Sequence, residues 1–336
     1  MIIRLPKKPT LRIAVALGIG TAAFLALGLG QAHAAQELEG QLSAKLPTPE
    51  LIDAALRRGD IDEVTANLFT AFAFGDYESL PEEFRSNVPW DGTLPLLRLL
   101  RSVDRMPQGL ERTTIERLLK GSCDIQSTTL PNTQDSTNFH IEYNTIGGGL
   151  DINAYATSLE TAWTREVSTF GWAAPPVLGS NPPPGNRYHV RIDSLPGGLY
   201  GFVSPSGAHA GLVGNNPNTA WDDVDAYASC MSLNRDYSGF PGTSQQALDA
   251  TTAHEFNHSI QFGYGGLDGV NTPDDVFIEG GATWMEDEVF DSSNDNYNYL
   301  WPTFNMCMGQ YTASPYPYWI VFRGLTEPYG TGTAGG

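Results

Sequence analysis

The sequence predicts an α+β fold: a mixed sheet, one chemistry-bearing helix with further helices after it, and a helical N-terminal segment ahead of both. Three observations carry this. Two stretches alternate apolar and polar residues, "NFHIEYNT" with Phe139, Ile141 and Tyr143, and "RYHVRIDSL" with Tyr188, Val190 and Ile192, as half-buried strands do. Between them, "DINAYATSLETAWTREVSTFGW" sets Tyr155, Leu159, Trp163, Val167 and Phe170 at steps of three and four, the mark of an amphipathic helix. Ahead of residue 136 the apolar spacing is helical instead.

Taken in order, Arg4, Lys7, Lys8 and Arg12 precede an apolar run from Ile13 to about Gly30, then Ala32-His33-Ala34. Basic start, apolar middle and small residues before a cut make a secretory signal over 1–34, with an uncleaved N-terminal membrane anchor as the other reading. The expected location is therefore secreted, in the extracellular space. Loss of 1–34 removes four basic residues and no acidic one, taking the net charge from −19 to about −23. Phosphate binding needs clustered Lys and Arg, so neither nucleic acid nor, after signal cleavage, a membrane is expected as partner. The chain is expected to be a monomer.

Residues 35–135 read as helical. "TPELIDAALRRGDIDEVTANLFTAF" has Thr48 as N-cap, Pro49 at N1, and Leu51, Ala54, Ala55, Ile61, Val64 and Leu68 at helical spacing. Shorter helices follow around "LPLLRLLRSV" and "TTIERLLKGS", and the polar "QSTTLPNTQDSTN" (126–138) reads as a linker. This region reads either as a removable propeptide or as a permanent subdomain, ahead of a separate domain over 136–336. There, "GLYGFVSP" and "VDAYASCMSLN" are further strand candidates. Helices are expected over 244–262, about 273–290, 298–309 and 316–327. The glycine-rich ending "YGTGTAGG" leads us to expect a C-terminally incomplete domain.

The three cysteines, Cys123, Cys230 and Cys307, are too few for a disulfide-built mini-fold. One disulfide is expected, Cys230–Cys307, since both lie in the 136–336 domain. Cys123 is then free or paired with another molecule. Without a CxxC pair, a thiolate zinc site is not expected.

The chemistry gathers in "SQQALDATTAHEFNHSIQF", a run without Pro or Gly that Thr243 or Ser244 can cap and that Gly263, Gly265 and Gly266 end. His254 and His258 lie one turn apart on one face, so both imidazoles can reach one ion. Glu255 lies about 100° round the helix, poorly placed as a ligand but well placed to touch a water beside the metal. A second helix, "TPDDVFIEGGATWMEDEVFD", begins with Thr272 as N-cap and Pro273 at N1 and carries Glu279, 21 residues after His258. Gly280 and Gly281 cost about 1 kcal/mol each inside a helix; close approach of this helix to the first, bringing Glu279 to the metal, gives them a reason. Glu286 is the backup ligand, or a carboxylate that orients a ligand histidine through its free N–H. Asp287 and Glu288 read as a solvated face. "DSSNDNYN" offers oxygen ligands that Ca2+ would take, but it lacks the EF-hand spacing and reads as a polar loop.

HEFNH followed by EGGATWMEDEV resembles the gluzincin metallopeptidases, and the longer string "AHEFNHSIQFGY…EGGATWMEDEVFD" resembles secreted bacterial metalloproteases. The likeness covers roughly 138–325. It implies a zincin-like catalytic domain, with His254, His258 and Glu279 as ligands of one catalytic Zn2+ and Glu255 as general base. The spacing to Glu279 differs slightly from that of aminopeptidase-type members, and no Asp stands four residues after Glu279. Three protein ligands would leave a fourth position to water. Glu255 would take its proton and pass it to the leaving amine. A donor for the developing oxyanion would come from Tyr297, Tyr299, Tyr264 or His209. The strand near 225–233 would lie along the cleft and pair with an extended substrate. The expected function is that of a secreted zinc endopeptidase acting on protein or peptide substrates. The alternatives are an exported binding or adhesion protein with a non-catalytic zinc, and a metallohydrolase of other substrates.

Overall fold

A computed structural model describes residues 46–119, 123, 130–265, 275–300 and 315–329. The signal, Thr272, Pro273, Cys307 and most of the expected 298–309 helix lie outside them. The described residues from Pro47 onward belong to one compact unit.

The N-terminal part is helical as expected, with shifted boundaries. α1 (Thr48–Arg58) starts after Pro47, one residue earlier than the Thr48 cap predicts. The apolar run then breaks, because Gly59 takes a left-handed φ of 76° that closes α1. Asp62 opens α2 (Glu63–Gly75) by accepting from Thr65 N at 2.8 Å. α3 (Thr93–Arg105) and α4 (Leu110–Leu118) follow. Part of the expected linker is a strand: β1 (Asn132–Asp135) pairs antiparallel with β2 (Phe139–Tyr143). Its NTQD sequence carries no apolar alternation because it is a largely exposed edge.

The main sheet is mixed, in the order β1-β2-β3-β7-β4, so the expected α+β class holds. β2 and β3 (Tyr188–Asp193) run parallel, as do β3 and β7 (Cys230–Asn234), while β4 (Gly201–Ser204) closes the far edge antiparallel to β7. α5 (Ile152–Trp163), capped by Asp151 onto Ala154 N, links β2 to β3 and ends in a π-helical turn at Thr164–Thr169. A two-stranded sheet joins β5 (Gly211–Gly214) to β6 (Ala226–Ala228).

The stretch expected as one strand near 225–233 is thus two. Its second half, β7, has β3 on one side and β4 on the other, so it has no edge to offer an extended peptide.

α6 (Ser244–Tyr264) lies against this sheet, opened by a capping box between Thr243 and Gln246. Its Ala247, Leu248, Phe256 and Ile260 join Phe139, Ile141, Val190, Ile192, Met231 and Leu233 in the main core. Each large apolar side chain buried there is worth about 1.5–3 kcal/mol. α7 (Asp275–Val289) and α8 (Trp319–Tyr329) complete the fold. Among the described residues no helix is long and apolar enough to cross a membrane.

The disulfide joins Cys123 to Cys230, not Cys230 to Cys307. The helical segment packs on the β4 side of the sheet, which brings the chain after α4 to the start of β7. That pairing leaves Cys230 no bond to give Cys307.

Candidate metal centre

α6 buries both faces, and its polar residues go inside with the apolar ones: His254 is 1 % exposed, Glu255 and His258 are 0 %. Such burial is costly for ionisable groups unless they are paired or hold a cation. The helical repeat puts the two imidazoles together, with His254 Nε2 3.1 Å from His258 Nε2. Glu279, fully buried on α7, brings Oε2 to 3.1 Å from His254 Nε2 and 3.4 Å from His258 Nε2. The three residues expected as ligands therefore converge, and they can hold a metal ion.

The far side of each ring is occupied. His254 Nδ1 lies 2.8 Å from Glu286 Oε1, and His258 Nδ1 lies 2.9 Å from Gln261 Oε1. Both contacts use Nδ1 as donor to an oxygen and turn Nε2 towards Glu279. Two Nε2 atoms and a carboxylate then meet at one point with one thing in common, a demand for positive charge. Electrostatics says the same. Burial alone would lower His254, yet Asp91, Glu279 and Glu286 raise it well above the histidine range. Burial pushes Glu279 up, but the two rings overcome it and hold the carboxyl at about 2. A divalent cation meets that demand where otherwise a proton must. Glu279 Oε1 has no hydrogen-bond partner among the described residues.

Gly280 serves a different purpose from the one expected. A Cβ on Gly280 would come 3.1 Å from Phe322 and 3.3 Å from Tyr318, so this glycine admits the C-terminal helix rather than α6. Gly281 faces Gln261 of α6 at ordinary contact distance, 3.5 Å. Asp287 is not solvated either: it is 6 % exposed and bonds Asn296 Nδ2 at 3.0 Å and the Arg323 guanidinium.

Glu255 stands outside the three-residue group, yet keeps a carboxylate oxygen within 4.8 Å of a His254 ring nitrogen. Its Oε2 accepts from Thr93 Oγ1 at 2.6 Å, and Oε1 has no hydrogen-bond partner among the described residues. Burial raises its carboxyl above the usual range. A second metal-capable group, Asp91 with His254 and Glu255, has its ligand atoms within 4.8 Å of one another. Asp91 is 5 % exposed. Neither Asp91 nor Thr93 was identifiable from the sequence, because nothing in "PWDGTLP" carries a chemical pattern.

Of the expected oxyanion donors, none lies against the histidine pair. Tyr297 is half-exposed and packs on Trp319. Tyr264 accepts from Ala173 N and packs at a tilt against Trp221. His209 contacts Asn181 O and the His189 ring. Tyr299 donates to Asp295 Oδ2 at 3.3 Å and stacks on Tyr316. Tyr316 is the aromatic ring beside the site, its centroid 6.0 Å from that of His254. Asp295, in the loop considered for Ca2+, bonds Asn298 and Tyr299 and belongs to neither metal-capable group.

Comparison of the chain with protein-family models, curated proteins and solved structures gives no match.

Proposed function

We propose that the protein is a zinc-dependent hydrolase of peptide bonds with a zincin-like catalytic domain. His254, His258 and Glu279 are the metal ligands and Glu255 the general base. The observation that carries this reading is the spacing of the three ligand atoms, 3.1, 3.1 and 3.4 Å. Bonds of about 2.0–2.1 Å in a tetrahedron put ligand atoms about 3.3 Å apart. Bound zinc supplies a Lewis acid that activates water and polarises a carbonyl.

The chain's own residues do the rest. Glu286 and Gln261 fix the two rings with Nε2 inward. Glu255 takes a proton at Oε1, the oxygen left unpaired, and delivers it to the leaving amine. Burial raises its carboxyl, which brings it nearer the pH at which a base can both accept and return a proton. Tyr316 is the side chain from which a hydroxyl donor to the developing oxyanion is expected. Secretion fits the Cys123–Cys230 disulfide, a bond kept in oxidising compartments.

One observation favours a second reading, an exported metal-binding protein with a closed, non-catalytic zinc: Asp91 adds a carboxylate beside His254. Zinc content and casein cleavage, measured on wild type, Glu255→Ala and Glu279→Ala, separate the two. The hydrolase predicts that Glu255→Ala keeps zinc and loses about a hundredfold or more in rate, whereas Glu279→Ala loses both. Full zinc in Glu279→Ala refutes the ligand set, and undiminished cleavage by Glu255→Ala refutes the base. Stoichiometric zinc without casein cleavage in any form of the protein leaves the closed site or a non-peptide substrate.

A further inference from the structure

Tyr155, Leu159 and Ala162 form a buried stripe on α5, each 0 % exposed, and Glu166 follows Ala162 by one turn. A carboxyl group on a core stripe is costly unless something there uses it. Glu166 lies in the π-helical turn at Thr164–Thr169 and is itself fully buried. Its Oε2 accepts from Asn257 Nδ2 at 3.1 Å, and Oε1 has no hydrogen-bond partner among the described residues.

From Asn257, on α6, side-chain bonds lead back to the metal centre. Asn257 Oδ1 accepts from Gln261 Nε2 at 2.9 Å, and Gln261 Oε1 lies 2.9 Å from His258 Nδ1. Gln261 Nε2 also donates to Ile278 O at 3.0 Å, the carbonyl directly ahead of Glu279. Glu166, Asn257, Gln261 and His258 thus stand in one line of hydrogen bonds, three helical turns of chemistry joined end to end.

The direction of every bond in that line is settled by its acceptors. A carboxylate and a peptide carbonyl can only accept. Glu166 Oε2 therefore takes an N–H of the Asn257 amide, which leaves Oδ1 to face Gln261. Asn257 Oδ1 and Ile278 O together take the N–H pair of Gln261, which leaves Oε1 to face His258. An acceptor there requires the proton on Nδ1 and frees the Nε2 lone pair for a cation. Burial raises the Glu166 carboxyl well above the usual carboxylate range. The direction survives that, because an acid with its proton on the unpaired Oε1 still accepts at Oε2.

Resting on the ligand set of the hydrolase reading, we propose that Glu166 is a positioning residue for His258, acting through Asn257 and Gln261. His254 has a carboxylate directly behind it in Glu286. His258 has its carboxylate two amides away, on a turn that supplies no ligand.

The test uses the full-length chain loaded with Co2+, in which the Nδ1–H of each ligand histidine gives its own far-shifted proton resonance. Gln261→Met, which removes the acceptor, identifies the resonance of His258, and that of His254 is the internal reference. Glu166→Met keeps the length of the side chain and loses its acceptor. It should speed exchange of the His258 proton with water about fivefold and weaken zinc binding about tenfold. The His254 proton should keep its exchange rate. Glu166→Gln, which can still accept from Asn257, should bring both quantities back towards wild type. Asn257→Leu cuts the line at its middle and should give the same selective effect even where Glu166→Met fails to fold.

Unchanged exchange at His258 in Glu166→Met or in Asn257→Leu overturns the relay. So does equal acceleration at both histidines, which would mean a general loosening of α6. Either result, seen with Co2+ bound, refutes the relay alone. Failure of the wild type to take up Co2+ refutes the ligand set of the hydrolase reading, and the relay with it.

Discussion

Glu286 Oε1 lies 2.8 Å from His254 Nδ1, seven residues beyond Glu279 on the same helix. One face of α7 thus addresses both nitrogens of a single imidazole, Glu279 at Nε2 and Glu286 at Nδ1. The ring cannot turn without breaking one of the two contacts. Glu286→Ala is expected to lower zinc affinity about 10–100-fold, the usual cost of removing a carboxylate behind a ligand histidine. Glu286→Gln, which keeps an acceptor oxygen, should lose less. Competition with a zinc-buffering chelator measures both. An unchanged affinity in Glu286→Ala would mean that the packing of α6 alone fixes the ring.

Thr93 makes two buried bonds at once. Its Oγ1 accepts from Val203 N at 2.7 Å and donates to Glu255 Oε2 at 2.6 Å. Thr93→Val keeps the shape and orphans both partners, so stability should fall by about 1–3 kcal/mol. Zinc content should not change. Under the hydrolase reading Thr93 is a positioning residue for the base, so kcat for casein should fall at constant KM and constant zinc. An unchanged kcat would mean that Glu255 needs no anchor at Oε2.

Residues were legible from sequence where their relationship is local. His254, Glu255 and His258 fall within one and a half turns, and Glu279 and Glu286 share one face of the next helix, so helical periodicity fixes their directions. The strands at 139–143 and 188–193 show because they bury alternate residues. β1 does not, since NTQD is an exposed edge, and neither does GLVG of β5, whose two glycines leave little to alternate. Asp91 and Thr93 stayed hidden for another reason. Thr93 meets Glu255 across 162 residues of sequence, held there by backbone bonds of Trp90 and Gly92 to Gly198, Tyr200 and Gly201. Backbone bonds leave no trace in side-chain spacing. The same packing misdirects the disulfide expectation, because the sequence sets Cys123 in a region apart from Cys230.

The Cys123–Cys230 bond closes a loop of 107 residues. On chain-entropy grounds a cross-link of that span stabilises by up to about 4.7 kcal/mol, and removal of a native disulfide typically costs about 2–5 kcal/mol. Cys123→Ser is expected to lower the melting temperature clearly under oxidising conditions. The wild type should drop to the same level on reduction, and the variant should not drop further. Peptide mapping without reductant should recover the two cysteines in one linked fragment.

Glu142 gives the acid side of the stability profile, away from the metal centre. It sits on β2 with Arg191 Nη1 at 2.7 Å and His189 Nε2 at 3.3 Å from its Oε2. The contact with His189 leads the causes that outweigh burial and bring its carboxyl from 4.5 down to about 2. A carboxyl depressed in the folded state binds its proton first in the unfolded chain, so acid favours unfolding. The contribution is fully present above pH 4.5 and disappears as pH falls through about 2. Glu142 is partly exposed, so solvent screening trims the effect, and about 1–2 kcal/mol is expected at neutral pH. Glu142→Gln should therefore be less stable than wild type in urea at pH 7, with the gap narrowing below pH 4.5 and closing near pH 2. A gap that stays constant across this range would mean that the glutamate acts through packing and neutral hydrogen bonds rather than through its charge.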